Sequence, residues 1–187
     1  MVADHYASIG RLGADKSTQG DGRTPLGVYY ITSRLDPKQL TSFYGAGALP
    51  LNYPNEYDRR LGRTGSGIWL HGVPSENYAR SPNSTDGCVA LANPELQTIL
   101  ARVQPRTTPV IIANTLEWTS VKSAEPGRRS LRNLLEGWRV ARASGDLPRL
   151  MSFYSPQFST GTRDINQWRQ LIEKDVTSQR GRPLKLK

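Results

Sequence analysis

The segment NSTDGCVALANPEL, residues 83–96, contains Cys88, the sole cysteine of this 187-residue chain. A cysteine acts as a nucleophile through its thiolate, and at neutral pH the thiolate needs an adjacent base or a positive field. The chain has two histidines, His5 and His71, and His71 lies 17 residues before Cys88, at the end of GSGIWLHG. Cys88 and His71 could therefore form a nucleophile and its base, the pair that attacks a carbonyl carbon.

Both residues also have a structural interpretation. A single cysteine is most often a small buried hydrophobic side chain. A histidine that follows an apolar strand is more often a hydrogen-bonded structural group than a base. Spacing along the chain does not establish that two side chains meet. The residue types and their spacing therefore leave the catalytic and the structural interpretations open.

The predicted elements around His71 and Cys88 favour proximity of their side chains. Up to about residue 120, stretches rich in β-branched and aromatic residues alternate with Gly, Pro, Asn and Asp, which predicts strands in HYASIG, TPLGVYYITSRL, GSGIWLHG, CVAL and TPVIIANT. A strand ending at His71, a polar loop over 73–84 and a strand starting at Cys88 can bring the two side chains face to face. Gly87 leaves room for a carbonyl to approach the backbone N–H groups. One helix is predicted in this part, capped by Asn93 with Pro94 in its first position.

These segments resemble the YkuD-type L,D-transpeptidases. The resemblance is carried by HG at 71–72, a loop, then STDGCVAL at 84–91, and upstream by TPLGVYYI at 24–31 and GIWLHG at 67–72. It extends from residue 5 to about residue 115. It implies a mainly β, α+β fold: a YkuD-like β-sandwich with one or two helices, here followed by a short helical C-terminal segment.

The resemblance also implies roles for the site residues. Cys88 attacks an amide carbonyl of a peptidoglycan stem peptide and forms a thioester, and His71 accepts the thiol proton. The carbonyl of Gly72 holds the imidazole tautomer, and the amides of Gly87 and Cys88 line an oxyanion hole. The preceding residues, Ser84 and Thr85, shape the loop that enters this hole, or are ordinary turn residues.

Two positions depart from the common family pattern. Asp86 stands where many relatives have histidine, and Ala90 stands where many have an arginine that could meet a substrate carboxylate. Both departures resemble the YafK-type branch, which includes enzymes that cleave rather than join stems. Asp86 either binds an amine of a stem or caps a turn. Transfer of the acyl group to an amine and its hydrolysis by water are both open.

Other candidates are weaker. Arg23 and Arg80 could pair with stem carboxylates, although an exposed arginine is usually only solvated. Tyr44, Tyr53 and Tyr57 could line a cleft or pack in the core. The spacing of Cys and His gives no metal site, and we expect no cofactor.

The net positive charge is concentrated in the C-terminal part of the chain. Residues 1–120 carry 11 Lys and Arg against 10 Asp and Glu, whereas residues 121–187 carry 14 against 6. We therefore predict a catalytic domain over 1–119 that begins before residue 1, a linker over 120–130 and a basic helical segment over 131–187. Part of this segment, 131–172, resembles the opening helices of SnoaL-like domains. Its helices are predicted from a stripe of Leu131, Leu134, Leu135, Trp138 and Ala141 that stops near Gly145, and from caps at Asp146 and Asp164.

Partners and location follow from the resemblance. The substrates are peptidoglycan stem peptides, with an envelope lipoprotein as a further acceptor or substrate, and the location is the periplasm or cell envelope, with an export signal outside this sequence. A non-catalytic cell-wall-binding protein is a remote alternative. Nucleic acid is not expected, because the excess positive charge is confined to one segment and no recognition element accompanies it. No stretch reaches the ~18 apolar residues of a membrane-spanning helix.

Overall fold

The structure is a computed structural model that describes residues 3–179 and residue 184. The chain divides into two compact units, Met1–Leu116 and Glu117–Lys187. The boundary lies close to the change in residue pattern near residue 120. Among the described residues, no helix combines the length and the apolar character that crossing a membrane requires.

The first unit is built from short strands and two short helices. Its strands and α-helices, in chain order, are β1 (Ala7–Ser8), β2 (Gly27–Tyr30), β3 (Ala48–Pro50), α1 (Glu56–Arg60), β4 (Trp69–His71), β5 (Val89–Leu91), α2 (Asn93–Leu100) and β6 (Pro109–Ile112), and two 3-10 turns, Pro37–Gln39 and Ser42–Tyr44, lie between β2 and β3. With the helices of the second unit, this is a mixed α+β chain. The predicted fold class is thereby confirmed, and each predicted strand segment contains a strand.

Two sheets organise the first unit. The larger sheet has the order β1-β5-β4-β3, and the smaller sheet pairs β2 with β6. The central pair, β4 and β5, is parallel, with Leu70 opposite Val89 and His71 opposite Ala90. The 16 residues between His71 and Cys88 thus form the crossover between two adjacent parallel strands, which fixes the register of the two predicted site residues.

The core lies on the inner faces of these strands. Tyr29 and Tyr53 meet edge to face with ring centroids 5.8 Å apart. Around them pack buried aliphatic side chains from α2, from the strands and from residues that adjoin the strands: Ile31, Leu49, Leu51, Ile68, Leu70, Leu91 and Leu96. Alternate residues of a strand point to opposite faces, so the burial of Leu70 in this core turns Trp69 and His71 to the other face of β4.

One strand and one α-helix of the first unit were not predicted. β3 has only three residues and ends in Pro50, which is compatible with its place at the edge of the sheet. α1 has five residues, too few to show a helical period. A capping box at its start, in which the side chains of Asn55 and Asp58 each accept the other's backbone N–H, makes this short helix possible.

The second unit consists of three helices, α3 (Val121–Ser144), α4 (Leu147–Met151) and α5 (Ile165–Gln179). α3 ends at Gly145, whose φ of 78° is left-handed, and Asp146 caps α4 by accepting the N–H of Arg149. Asp164 accepts the N–H groups of Asn166 and Gln167 at the start of α5. A small core joins the three helices: Ala141, Leu150, Ile172 and Val176.

The linker predicted over 120–130 is instead the first part of α3. Ser120 accepts the N–H of Ser123 and starts the helix, and Pro126 lies inside it. A proline here removes one backbone hydrogen bond, but the segment is largely exposed and water can satisfy the freed carbonyl. The apolar stripe is only partly covered, because Trp138 and Ala141 pack in the small core whereas Leu131, Leu134 and Leu135 are exposed.

Candidate active site

His71 is held at the end of β4 by its own backbone and by two aromatic rings. Its side chain is buried, and its Nδ1 lies 2.6 Å from the carbonyl oxygen of Gly72. Tyr44 meets the imidazole edge to face at 5.2 Å, and Phe43 stacks on it at 5.9 Å. Because a carbonyl only accepts, Nδ1 carries the proton and Nε2 is left free of one. The histidine therefore has the tautomer of a base.

Cys88 lies on the same face of the sheet as His71. Val89 is opposite Leu70 and packs with it in the core, so Cys88, one residue earlier, points to the face that Trp69 and His71 share. Its Sγ donates to the carbonyl of Gly67 at 3.3 Å. The sulfur opens onto a surface depression of about 340 Å³. The side chain is half-buried and is exposed from that side.

The loop before Cys88 is closed by Thr85. Its hydroxyl donates to the carbonyl of Cys88 at 2.7 Å and accepts the N–H of Gly87 at 3.1 Å. The Gly87 amide, which the sequence resemblance places in an oxyanion hole, is bound to the Thr85 hydroxyl in this structure, and its role in such a hole stays a prediction. The corresponding role of the Cys88 amide likewise stays a prediction.

Gly87 is required by its conformation and by its neighbours. Its φ of 128° lies in the region that favours glycine, and a Cβ there would clash with the carbonyl of Arg23 and touch Ile68. The carbonyl of Gly87 accepts the hydroxyl of Thr24 at 3.0 Å, and that hydroxyl accepts the N–H of Gly10 at 2.9 Å. The turn that presents Cys88 is thus fixed from two sides.

Burial acts on the ionisation of both site residues. It raises the pKa of the Cys88 thiol, against the effects of a backbone hydrogen bond with Trp69 and of the positive charges of Arg80 and Lys16. It lowers the pKa of His71, which the hydrogen bond to Gly72 opposes and the charge of Arg80 reinforces. At neutral pH the pair is therefore a neutral thiol and a neutral imidazole, and a thiolate forms only as its proton moves to a base.

The two predicted arginines lie in different environments. The guanidinium of Arg80 sits 4.1 Å from the centroid of the Phe43 ring, which itself stacks on His71. Arg80 thus belongs to the surroundings of the histidine. Arg23 instead donates from its guanidinium to the carbonyl of Ala14 at 2.9 Å and does not line the depression at Cys88. Its contribution is to the loop that supports Gly87.

The remaining predicted residues divide in the same way. Asp86 lines the depression and forms an ion pair with Arg11. Ser84 contacts the hydroxyl of Ser8 at 3.1 Å, in the part of the loop away from the depression. Of the three tyrosines, Tyr44 contacts His71, Tyr53 is buried in the core and Tyr57 is exposed.

A comparison with models of protein families shows which family the chain is similar to. The family model of the YkuD L,D-transpeptidase catalytic domain matches residues 1–112. The chain belongs to the YkuD family. The match covers more than half of the sequence, contains both His71 and Cys88, and confirms the resemblance drawn from HG and STDGCVAL.

The similarity to solved structures extends beyond the residues that the YkuD family model matches. Bd1075 from Bdellovibrio bacteriovorus is 29% identical with a TM-score of 0.74, and the alignment covers 95% of this chain and 62% of that protein. The helical cell shape determining protein Pgp2 from Campylobacter jejuni is 28% identical with a TM-score of 0.71, covering 97% of this chain and 62% of that one. The chain thus spans about three fifths of the length of these two relatives. No curated protein matches it.

Sequence reasoning missed three residues that lie close to His71 or Cys88. Asn93 was predicted as a helix cap, but Ala92 holds the cap position. Asn93 instead uses its amide to bind the N–H of Ala46 and both backbone groups of Val73. Arg11 and Lys16 line the depression at Cys88. Both lie in a loop far from the cysteine in sequence, and no local pattern marks them.

Proposed function

We propose that this protein is a cysteine-dependent L,D-transpeptidase that acts on peptidoglycan stem peptides. Membership of the YkuD family supports a cell-wall enzyme. The observation that carries the proposal is that Cys88 and His71 share one face of adjacent parallel strands, with His71 Nδ1 bound to the carbonyl of Gly72. This leaves Nε2 as the atom that can accept a proton.

The proposed reaction begins with a neutral pair. As Cys88 Sγ attacks the amide carbonyl carbon of the stem, its proton passes to Nε2 of His71, and the carbonyl oxygen becomes an oxyanion near the Cys88 amide. The intermediate collapses with cleavage of the C–N bond, and His71 returns the proton to the leaving amine. The stem is then held as a thioester on Cys88.

The second half of the reaction regenerates the thiol. An amine of another stem attacks the thioester, loses a proton to His71, and leaves as a new amide, while Cys88 takes the proton back. Water in the place of the amine gives hydrolysis. Hydrolysis is the second candidate outcome because the rim of the depression is well solvated: the side chains of Arg11 and Asp86 are 56% and 82% exposed.

The setting follows from the same family. We propose action at the cell wall, in the periplasm or envelope, and a role in cell shape, the property for which Pgp2 is described. An envelope lipoprotein as acceptor, and the SnoaL-like character of 131–172, stay predictions of the sequence resemblance alone. The non-catalytic alternative is disfavoured, because Cys88 and His71 are both present and share one face of the sheet.

Incubation with a disaccharide-tetrapeptide, followed by mass spectrometry of the products, tests the proposal. A cross-linked dimer indicates transfer, and a monomer that has lost its last residue indicates hydrolysis. Cys88→Ala must give neither product. If the native protein gives neither product, or if Cys88→Ala retains turnover, the proposal is wrong.

A further inference from the structure

Lys16 is a buried charged residue that the proposed reaction does not use. Its side chain is only 3% exposed, and it lines the depression onto which Cys88 opens. A lysine is rarely buried unless its charge is paired, and a buried ion pair often stabilises a fold no better than apolar side chains of similar volume. The position of Lys16 beside the nucleophile therefore indicates an electrostatic role.

The ion pair of Lys16 presents its positive end to this depression. Nζ donates to Oδ1 of Asp21 at 2.7 Å and to the carbonyl of Thr18 at 3.0 Å. Lys16 lines the depression, whereas Asp21 is not among the described residues of its lining. The carboxylate also accepts three backbone N–H groups, those of Ser17, Thr18 and Arg23, and their partial positive charges offset part of its negative charge. The pair as a whole therefore acts on the depression as a positive charge.

A short glycine-rich segment, 65–67, contacts both the lysine and the sulfur. Gly65 has a φ of 107°, a region that favours glycine, and an added Cβ there would lie 3.1 Å from Lys16 Cε. The carbonyl of Gly67 accepts the thiol of Cys88 at 3.3 Å. Two residues of extended chain span at most about 7 Å, so the stem of the ammonium and the sulfur are held close to one another.

A second connection holds Lys16 through its backbone. Its N–H donates to the carbonyl of Thr24 at 3.2 Å. The hydroxyl of Thr24 donates to the carbonyl of Gly87 at 3.0 Å, directly before Cys88. The lysine is thus fixed relative to the nucleophile from two sides. A charge that is already fixed needs no rearrangement when a reaction creates an opposite charge beside it.

The other charged groups near the sulfur are less suited to this role. Arg11 and Asp86 line the depression as an exposed ion pair, which water screens. Burial raises the pKa of the thiol, and the charges of Arg80 and Lys16 both oppose this. Burial and the charge of Arg80 lower the pKa of His71, so Arg80 also disfavours the imidazolium that the reaction forms.

We propose that Lys16 supplies a fixed positive charge that stabilises the anion formed at Cys88. As Sγ bonds to the carbonyl carbon of the stem, its proton passes to Nε2 of His71 and the π electrons of the carbonyl move to its oxygen. The ammonium of Lys16 keeps its own proton throughout. Lys16 therefore acts on the rate of acylation and not on recognition of the stem. The inference rests on the proposed function for the reaction, but the behaviour of the thiol tests it without a substrate.

The first measurement concerns the thiol, in chains that lose the ion pair without gaining a buried charge. Two double variants, Lys16→Met with Asp21→Asn and Lys16→Gln with Asp21→Asn, are compared with the native protein. The second keeps a side-chain hydrogen bond possible across the pair, and circular dichroism establishes that each is folded. Alkylation of Cys88 by iodoacetamide over a pH series gives a midpoint for each chain. We expect both variants to have midpoints at higher pH than the native protein, because the thiolate has lost a favourable charge.

The second measurement is turnover of a disaccharide-tetrapeptide by the same chains. Both double variants should lower kcat about tenfold, the order of effect of one charge about 10 Å from the reacting atoms. KM should stay within about twofold of its native value, because the charge acts on the transition state and not on binding. A loss confined to KM would show that Lys16 binds the stem, and would overturn the inference.

The matched control is the double variant Arg63→Met with Asp58→Asn. This pair lies in the same unit and is also poorly exposed, at 20% and 2%, with Arg63 Nη1 3.3 Å from Asp58 Oδ1, but neither residue is among the described lining of the depression. The control should keep the native midpoint and the native kcat. An equal shift in the control, or folded Lys16 variants with the native midpoint, would overturn the inference. If the native chain has no turnover, the proposed function fails, and the alkylation midpoints still decide the role of Lys16.

Discussion

The Nδ1 atom of His71 and the carbonyl oxygen of Gly72 are 2.6 Å apart, and the imidazole that they orient is buried. A backbone carbonyl thus stands where a carboxylate orients the histidine in many hydrolases. A carbonyl fixes the tautomer but brings no full negative charge to stabilise an imidazolium. Together with burial, this favours a neutral imidazole in the resting protein.

The first prediction concerns the thiol. Because burial raises the pKa of Cys88, the rate of alkylation by iodoacetamide should increase with pH to a midpoint above the ordinary thiol value of about 8.5. The measurement is a pH series of adduct formation by mass spectrometry, with Cys88→Ala as the blank. A midpoint below pH 7 would indicate a resting thiolate and contradict the neutral pair.

The second prediction concerns the base. Replacing His71 by Ala should lower turnover of the stem by about 10² to 10⁴-fold, the usual contribution of a positioned general base. Since burial lowers the pKa of His71, activity of the native protein should persist as the pH falls to the ordinary histidine value of about 6.5 and decline only below it. An acid limb centred above pH 7 would argue against this assignment.

The third prediction separates charge from shape at Arg80. Its positive charge lowers the pKa of both His71 and Cys88. Arg80→Gln should therefore move the acid limb of activity and the midpoint of alkylation in the same direction, to higher pH. Arg59→Gln, which removes a charge of equal sign on α1, should move neither. If Arg80 only packs on Phe43, the rate changes and both pH midpoints stay in place.

The fourth prediction tests the support of the histidine turn. Asn93 makes three hydrogen bonds that join the segment before β3 to the segment after β4, two of them to Val73. Asn93→Ala leaves backbone groups without partners and should lower the free energy of unfolding by about 1–3 kcal/mol. The turnover of this variant should fall by more than this loss of stability alone would cause. Asn77→Ala, an exposed position in the following loop, is the control. Equal effects of the two variants would refute the positioning role.

How far the sequence predicts this site depends on the range of each interaction. His71 and Cys88 are marked by short motifs on two strands. The segment that connects these strands is short, which favours the pairing of β4 with β5. The place of Arg11 depends on a bridge between Gly10 and Thr85, 75 positions apart, and nothing local encodes it.

The local sequence preferences also led to wrong predictions at two places. Asn93 followed by proline is typical of a helix start, yet its amide is used by the loops across the sheet. In α3, Pro126 and the following glycine indicate a break, but the helix persists. One lost hydrogen bond on an exposed face is offset by the continuous helical bonding on either side of the proline.

The last prediction concerns the buried ion pair beside the nucleophile. Lys16 is 3% exposed and Asp21 13% exposed, with Nζ and Oδ1 2.7 Å apart. Asp21→Asn leaves the ammonium buried without a counter-charge and should destabilise the fold by about 3–5 kcal/mol. The double variant, Asp21→Asn with Lys16→Met, should be less destabilised than the single one, because no buried charge remains. Chemical unfolding of the three proteins measures this. A double variant less stable than Asp21→Asn alone would contradict it.

The same pair sets an acid dependence of stability. Although burial alone would raise it, hydrogen bonds from Lys16 and from the backbone of Thr18, Ser17 and Arg23 leave the pKa of Asp21 well below its usual range. A carboxyl group whose pKa is lower in the folded than in the unfolded chain stabilises the fold fully above the unfolded value, about 3.9. That contribution decreases as the pH falls towards the folded value. The difference in unfolding free energy between the native protein and Asp21→Asn should therefore be constant above about pH 5 and shrink in stronger acid. A difference that grows as the pH falls would show that Asp21 is not the ionised partner of Lys16.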